Sequence, residues 1–252
     1  MNYGRRLGYK IMTNTYHYLC QEKLIKTRDI SLITIVPISH ALTYQAGQFV
    51  EILLRSGHCL LLSIANAPQT DGHIEFHLRH DEAHPIAKLF LNELEQDANV
   101  VLRGPFGEST LEQNIQSQEE LVFLAGGTGF APIKALLQLA LVNSQQPLLL
   151  YWGIRRPEDA YDEPLLQQWK TRYPRFDYTL VLSEPHQHPS WTAPTGFVHD
   201  YVAQKHPDMK ALCLFASGPF EMIQAAQRLF THQGLKTHRF ISDMLPKTIK
   251  TI

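Results

Sequence analysis

Charge of one sign is what this sequence most clearly lacks. Across 252 residues, 23 Lys and Arg stand against 24 Asp and Glu, a formal net charge of −1. No one-signed field is present to draw in nucleic acid or an anionic membrane surface. Cysteine is scarce too: Cys20, Cys59 and Cys213 lie far apart, without paired spacing. They cannot frame a disulfide scaffold or a Cys-rich metal site, and they fall short of the four thiolates of an ordinary iron–sulfur cluster. They read as small buried hydrophobes or inert thiols. No apolar run approaches the roughly 20 residues that span a bilayer. The opening MNYGRRLGYKI carries Arg5, Arg6 and Lys10, but no apolar run or small-residue cleavage site follows, so it does not read as a secretory signal. These absences point to a reduced, cytoplasmic chain without a membrane or nucleic-acid partner.

What is present is enough apolar residue, 44% of the chain, for one large core or two smaller ones. Two rhythms divide it. From about residue 20 to 110, short alternating or β-branched runs are cut by Gly, Asn, Asp and Pro. Ile30–Val36, Gln48–Leu54, Leu60–Ala65, His73–Leu78 and Val100–Arg103 read as strands, with one helix opening at Pro85 and carrying Ile86, Leu89, Phe90 and Leu94 on one face. After a polar stretch, 111–120, the runs become short and continuously apolar, as in parallel strands buried on both faces: Leu121–Ala125, Leu148–Trp152, Tyr178–Leu182, Leu212–Ala216 and His238–Ile241. Helical patterns at Ile133–Val142, Pro164–Lys170, Val198–Lys205 and Pro219–His232 separate them. The expected fold is an antiparallel β-barrel followed by a doubly wound α/β domain with a five-stranded parallel sheet. The expected bounds are an extension at 1–19, the barrel at 20–114 and the α/β domain at 115–252.

One local pattern carries chemistry. A buried strand ends at Ala125, the run Gly126, Gly127, Thr128 and Gly129 makes a tight turn, and Pro132 opens a helix. Glycines admit a pyrophosphate to backbone N–H groups, and the helix N-terminus adds partial positive charge. No Gly-Lys-Ser/Thr follows, so the turn is not a nucleotide-hydrolysing P-loop. His73, His77, His80 and His84 do not read as a metal site, because Ile74, Phe76 and Leu78 alternate with them as in a half-buried strand. His186 and His188 read as a surface loop.

The ordered series QAGQF (45–49), LLLSIANAP (60–68), HIEFHLRH (73–80), RGPFGE (103–108), AGGTGFAP (125–132), YWGIRRPEDAYD (151–162) and ASGPFEMI (216–223) resembles the ferredoxin reductase-like flavoenzyme superfamily. Within it, the chain is most similar to bacterial NAD(P)H:flavin oxidoreductases. The resemblance covers about residues 20 to 245 and implies a flavin-binding barrel and a nicotinamide-nucleotide domain. It places Leu62, Ser63 and Ile64 in the flavin motif, with the Ser63 hydroxyl near flavin N5 as the one supporting catalytic group. His77, Leu78 and Arg79 match the stretch along the flavin's pyrimidine edge. Gly104, Pro105, Phe106 and Gly107 match the loop that closes the barrel. Gly126–Gly129 implies the pyrophosphate cradle, Gly153 and Arg155 the adenosine side, and Ser217, Gly218, Pro219 and Met222 the nicotinamide element, with Ser in place of the family's Cys.

The departures bear on mechanism. The family's Arg-Pro-aromatic-Ser is Leu60, Leu61, Leu62, Ser63 here, so the guanidinium best suited to a flavin phosphate is missing. The Gly-x-x-Ser grip of FAD-holding relatives is replaced by DEAHPIAK (81–88), and Leu245 falls near the place of a stacking C-terminal aromatic. The expectation is an enzyme passing hydride from NADH or NADPH to a weakly held flavin (riboflavin, FMN or FAD) that leaves reduced. A flavin-accepting oxygenase or an electron carrier is the possible partner, and no iron–sulfur cluster or other metal is expected. Two alternatives stay open: a reductase holding FAD for a separate ferredoxin, flavodoxin or haem protein, and a non-catalytic nucleotide-binding module. Arg155 and Arg156, followed by Glu158 and Asp159, leave NADH against NADPH undecided.

Overall fold

The computed structural model describes residues 14–111 and 120–244. Residues 1–13 of the expected extension at 1–19, the domain boundary at 114/115 and the departure noted at Leu245 lie outside those residues. The first half forms a six-stranded antiparallel sheet in the order β4-β3-β6-β1-β2-β5. Its strands are β1 (Thr15–Thr27), β2 (Ile30–Pro37), β3 (Phe49–Leu53), β4 (Cys59–Ser63), β5 (Ile74–Arg79) and β6 (Asn99–Phe106), with α1 (Pro85–Gln96) before β6. The sheet curls until its edges approach, and Ala65 N–H donates to the Glu75 carbonyl across the seam.

β1 corrects the expected extension. It begins at Thr15, inside the segment 1–19, and pairs with both β2 and β6. Only Tyr18 along it is buried, so the strand carries almost no hydrophobic alternation. It is held by ladder hydrogen bonds and by the Tyr18 hydroxyl, which accepts the Leu42 N–H.

The second half is a five-stranded parallel sheet in the order β11-β10-β7-β8-β9. It comprises β7 (Glu120–Gly126), β8 (Leu148–Ile154), β9 (Phe176–Leu182), β10 (Leu212–Ser217) and the short β11 (Phe240–Ile241). Residues 237–239 form a 3-10 turn, which shortens the last strand from its expected start at His238. The helices are α2 (Phe130–Asn143), α3 (Glu163–Arg172), α4 (Val198–Lys205) and α5 (Phe220–His232). The chain starts at β7, builds β8 and β9 on one side and returns to β10 on the other. A crevice therefore opens between the carboxyl ends of β7 and β10, where α/β sheets bind ligands.

What positions the site is the way the halves dock. On β5, Ile74, Phe76 and Leu78 fill the barrel core, while Glu75, His77 and Arg79 point out. This polar face meets the nucleotide domain rather than water. Lys134 of α2, 6% exposed, reaches Glu75 at 2.6 Å, and His77 Nδ1 lies 2.8 Å from the Tyr161 hydroxyl. α2 is apolar on nearly all sides, the pattern of a helix buried all round. Ile30 and Ala46 of the barrel join Phe130, Ile133 and Leu136 in one apolar cluster.

A charged latch closes the same interface. Arg156 Nη2 donates to both Asp29 oxygens at 3.1 and 3.0 Å and to Asp159 at 3.0 Å, and Arg79 adds a 3.4 Å contact to Asp29. Burial acts to raise the Asp29 carboxyl, but the Thr27 hydroxyl and the two guanidiniums outweigh it and hold it below the ordinary value of 3.8. Asp159 is 1% exposed, so removing its cation strands a buried charge. The Arg156→Ala variant is expected to lose about 3 kcal/mol of stability, within the range for breaking a buried pair from one side. Because the folded pKa is depressed, the Asp29 contribution is complete above pH 3.8 and is lost as pH falls below it, where the unfolded chain protonates first. Urea denaturation of both proteins at pH 7 and pH 3.5 checks this: the acid-induced loss should be smaller in the variant.

Candidate functional site

Docking leaves a cavity of about 900 Å³ between the domains. On the barrel side it is lined by Leu61, Leu62, Ser63, His77, Arg79, Asp81 and His84. On the other side it is lined by the turn Gly126–Gly129, by Gly153 and Arg155, and by Ser217, Gly218, Pro219 and Met222. A smaller cavity of about 230 Å³ adjoins it, walled by Phe49, Ile133, Phe215, Asp243 and Met244. Leu61, Ser63 and Ser217 are common to both cavities. Ser63 therefore stands where the two cavities meet.

Two glycines have specific reasons to be there. Gly127 has φ +54°, a left-handed conformation, and a Cβ would project toward the Arg79 guanidinium with nothing closer than 3.5 Å. That opening faces the cavity at the start of α2, whose first turn carries no acidic residue. Gly129 answers to packing, since a Cβ would lie 2.3 Å from the Ser217 carbonyl oxygen. The close approach brings the turn after β7 against the end of β10. Trp152 supports the turn from β8 by donating its indole N–H to the Gly127 carbonyl at 2.9 Å, and it stacks on Phe130 at 4.1 Å.

Not every expected residue reaches the cavity. Ile64 and Leu78 are sealed in the barrel core at 0% and 1% exposure, so their side chains cannot face a ligand from there. Gly104, Pro105, Phe106 and Gly107 line neither cavity. They back the smaller one: the Phe106 ring lies 5.7 Å from Phe49, and Gly107 abuts Phe49 and Asp243. The Asp243 carboxylate accepts the Glu108 and Ser109 N–H groups, fastening this loop to the far end of the nucleotide domain. Arg156, expected beside Arg155 at the nucleotide, is committed to the interdomain latch and does not line the cavity. Arg155 does, with Asp81 at 3.7 Å as its ion-pair partner among the described residues.

Several lining residues carry no signal in the series of motifs. Ser183, Gly196, Phe197, Val198 and His199 form the wall over the ends of β8 and β9. The one hint is the Gly at 196 just before a helical apolar pattern. His77 and Tyr161 are both uncharged. Burial, with Lys134 and Lys26, pushes the imidazole far below its ordinary value, and burial with Asp162 nearby pushes the phenol far above its own.

The residues fit the two groups that the family implies to different degrees. The glycine turn, the helix start and the uncrowded Gly127 suit a dinucleotide pyrophosphate, and Leu62 and Ser63 offer a wall for an isoalloxazine ring. The flavin phosphate end fits poorly. Leu60 packs on the barrel core in place of a guanidinium. At the start of α1, Asp81 accepts the Ala83 N–H at 3.0 Å and contacts His84 Nδ1 at 2.6 Å. Burial works to raise Asp81, but His84, the Ala83 amide and Arg79 outweigh it, so the carboxyl stays ionised. Among the described residues no group of three or more His, Cys, Asp or Glu could hold a metal ion, and no helix is long and apolar enough to cross a membrane.

A barrel docked on a doubly wound domain around a shared cleft, with a glycine turn at the switch point, defines a pyridine-nucleotide oxidoreductase. Residues 123–228 match the oxidoreductase NAD-binding domain family. The chain is 32% identical to the CDP-6-deoxy-L-threo-D-glycero-4-hexulose-3-dehydrase reductase of Yersinia pseudotuberculosis, over 96% of this chain and 72% of that one. It is 26% identical to a probable flavin reductase of Aliivibrio fischeri, over 82% and 88% respectively. In structure it is similar to an Amycolatopsis cytochrome P450 reductase, GcoB, with TM-score 0.81 and 26% identity over 90% of this chain and 68% of that one. The chain belongs to the ferredoxin reductase-like flavoenzyme superfamily.

The Gly129 contact is directly testable. Its φ and ψ suit any residue, so Gly129→Ala isolates the clash with Ser217. Overpacking of this kind is expected to cost about 2–3 kcal/mol, measurable as a lowered denaturation midpoint, together with weaker binding of NADH.

Proposed function

We propose that the protein is an NAD(P)H:flavin oxidoreductase that uses flavin as a substrate and releases it reduced. The observation that carries this reading is the state of the flavin-phosphate end: an ionised Asp81 already holds the amide that would meet a phosphate, and leucine stands where a guanidinium is needed. A site that holds the ring but not the tail binds flavin weakly enough to exchange it.

Bound together in the cleft, the nicotinamide supplies the hydride and the flavin ring accepts it. The chain's own task is placement, and proximity and orientation account for most of the acceleration. The Gly126–Gly129 turn offers backbone N–H groups to the pyrophosphate. Pro219 and Met222 wall the nicotinamide end beside Ser217, which places it next to Ser63. The Ser63 hydroxyl orients the ring from the barrel side. NADH against NADPH rests on Arg155, the guanidinium in the cleft with the looser tether.

The test is NADH and NADPH oxidation after thorough desalting. We expect a colourless protein whose activity requires, and saturates with, added riboflavin, FMN or FAD. A yellow protein retaining one flavin per chain sinks the reading. Ser63→Ala is expected to lower kcat about tenfold, the kinetic equivalent of one hydrogen bond, with the KM for NADH unchanged. Asp81→Asn keeps the shape and removes the charge. It should lower the KM for FMN about threefold to fivefold and leave riboflavin unaffected, as expected for one partly screened repulsion.

A second reading has its own support. The Yersinia and Amycolatopsis relatives are named as reductases of a dehydrase and of a cytochrome P450, which favours a chain that holds FAD and serves a partner enzyme. Retained flavin with slow turnover of free flavins distinguishes it.

A further inference from the structure

Two adjacent arginines follow β8, and in dinucleotide-binding folds the end of the second strand meets the adenosine ribose. An acidic side chain there suits the 2′-hydroxyl of NADH, whereas an arginine suits the 2′-phosphate of NADPH. Taken alone, Arg155 and Arg156 point to the phosphate. The fold gives both of them other partners. Arg156 is turned away into the latch with Asp29 and Asp159. Arg155 stays on the cleft wall, half exposed, where its Nη2 meets Asp81 Oδ2 of the opposite domain at 3.7 Å. The pair spans the cleft, with one partner on each wall.

The carboxylate is held ready for this contact. Its Oδ1 accepts the Ala83 N–H at 3.0 Å and lies 2.6 Å from His84 Nδ1, which fixes the group just before α1. Its Oδ2 is thereby left to two guanidiniums, Arg155 and Arg79, each at 3.7 Å. Arg79 is itself shared with Asp29 at 3.4 Å.

A carboxylate and a phosphate offer matching oxygen pairs to the same guanidinium fork, so they compete for it. A 2′-phosphate reaching Arg155 has to displace Asp81 and then lie beside its ionised carboxylate. His199 on the same wall brings no compensating charge, since burial holds its imidazole below the ordinary value of 6.5.

We propose that Asp81, reaching across from the barrel, is a donor-specificity residue that withholds Arg155 from a 2′-phosphate and makes this chain selective for NADH. The barrel thus supplies an acid where β8 itself ends in two arginines. The proposal rests on the dinucleotide occupying the cleft as proposed above, and it goes further by naming the donor. Because Asp81 acts through Arg155, it is a positioning residue, and its effect depends on that guanidinium.

Equilibrium titration of ADP-ribose and of its 2′-phosphate into the wild type, Asp81→Asn, Arg155→Ala and the double variant tests this without flavin or turnover. The wild type should bind ADP-ribose at least as tightly as the phosphorylated form. Asp81→Asn keeps an acceptor for the Ala83 N–H and should raise affinity for the 2′-phosphate relative to ADP-ribose about fivefold, the upper end for a solvent-facing ion pair. In the Arg155→Ala background the same substitution should change that ratio less than twofold, because no guanidinium remains to be released. In steady state, kcat/KM for NADPH relative to NADH should rise in Asp81→Asn by about the same fivefold. The proposal is overturned if ADP-ribose fails to bind the wild type, if the wild type prefers the 2′-phosphate, or if Asp81→Asn leaves the ratio within twofold of wild type. It is equally overturned if the ratio rises as much without Arg155, the mark of bare repulsion. Failure to reduce any free flavin would overturn the functional reading alone and leave the titrations standing.

Discussion

The outward face of β5 is the surface on which the rest of the structure depends. An antiparallel sheet can leave one face to water, yet here Glu75, His77 and Arg79 are taken up by the second domain. Each is matched to a partner: Lys134, Tyr161, and the Asp29–Arg156–Asp159 latch. Buried ionic contacts of this kind add little net stability over an apolar interface, because desolvation cancels most of their attraction. What they do supply is one relative placement of the two halves, since a slid interface would leave several charges unpaired. The cleft has a fixed width only because that placement is fixed. Ser63 on one wall and Ser217 on the other then border the same two cavities.

The two walls of the cleft differ in how they can bind. The nucleotide domain works through backbone: a left-handed glycine, a helix start and a tight approach to the Ser217 carbonyl, none of which depends on a charged side chain. The barrel works through a strand of leucines and one serine, with its charged groups either locked in the latch or, like Asp81, of the wrong sign for a phosphate. A ligand held mainly by fixed backbone dipoles loses little to reorganisation. A ligand held by apolar contact along β4 has nothing to anchor its tail. The asymmetry supports the proposed reading of an exchangeable flavin, and it arises from the same leucines that let β4 pack on the barrel core.

Most of the architecture was legible in the sequence because hydrophobic period reports local burial. Continuous apolar runs gave β7 to β10 within a residue or two, and Pro85, Pro132 and Pro219 fell in or just before the first turns of α1, α2 and α5. β1 was not legible: its buried side is a single tyrosine, and its strand state comes from partners on both sides rather than from its own pattern. At the site, the glycine turn was readable because backbone approach to a ligand demands particular residues at particular spacing, whereas Ser63, which borders both cavities, came only with the family resemblance. The role of Arg156 was not. Adjacent arginines look alike in sequence, and only the fold turns one toward Asp29, which lies 127 positions away, and the other into the cleft. The wall of Ser183, Gly196 and Phe197 carries no motif signal for a related reason, since an exposed aromatic and a core aromatic are the same letter.

That last ambiguity bears on specificity. Residues imposed by the fold, such as Gly129 against Ser217, can change only with the packing around them, so they set what any dinucleotide must satisfy. Asp81 answers to a different constraint: just before α1 it holds the Ala83 N–H and contacts His84 and Arg155, so a substitution there alters the cleft wall rather than a core. Chains sharing this fold can therefore keep one cleft geometry while differing at the rim residues that face it. The latch protects the geometry, and the rim positions carry the choice.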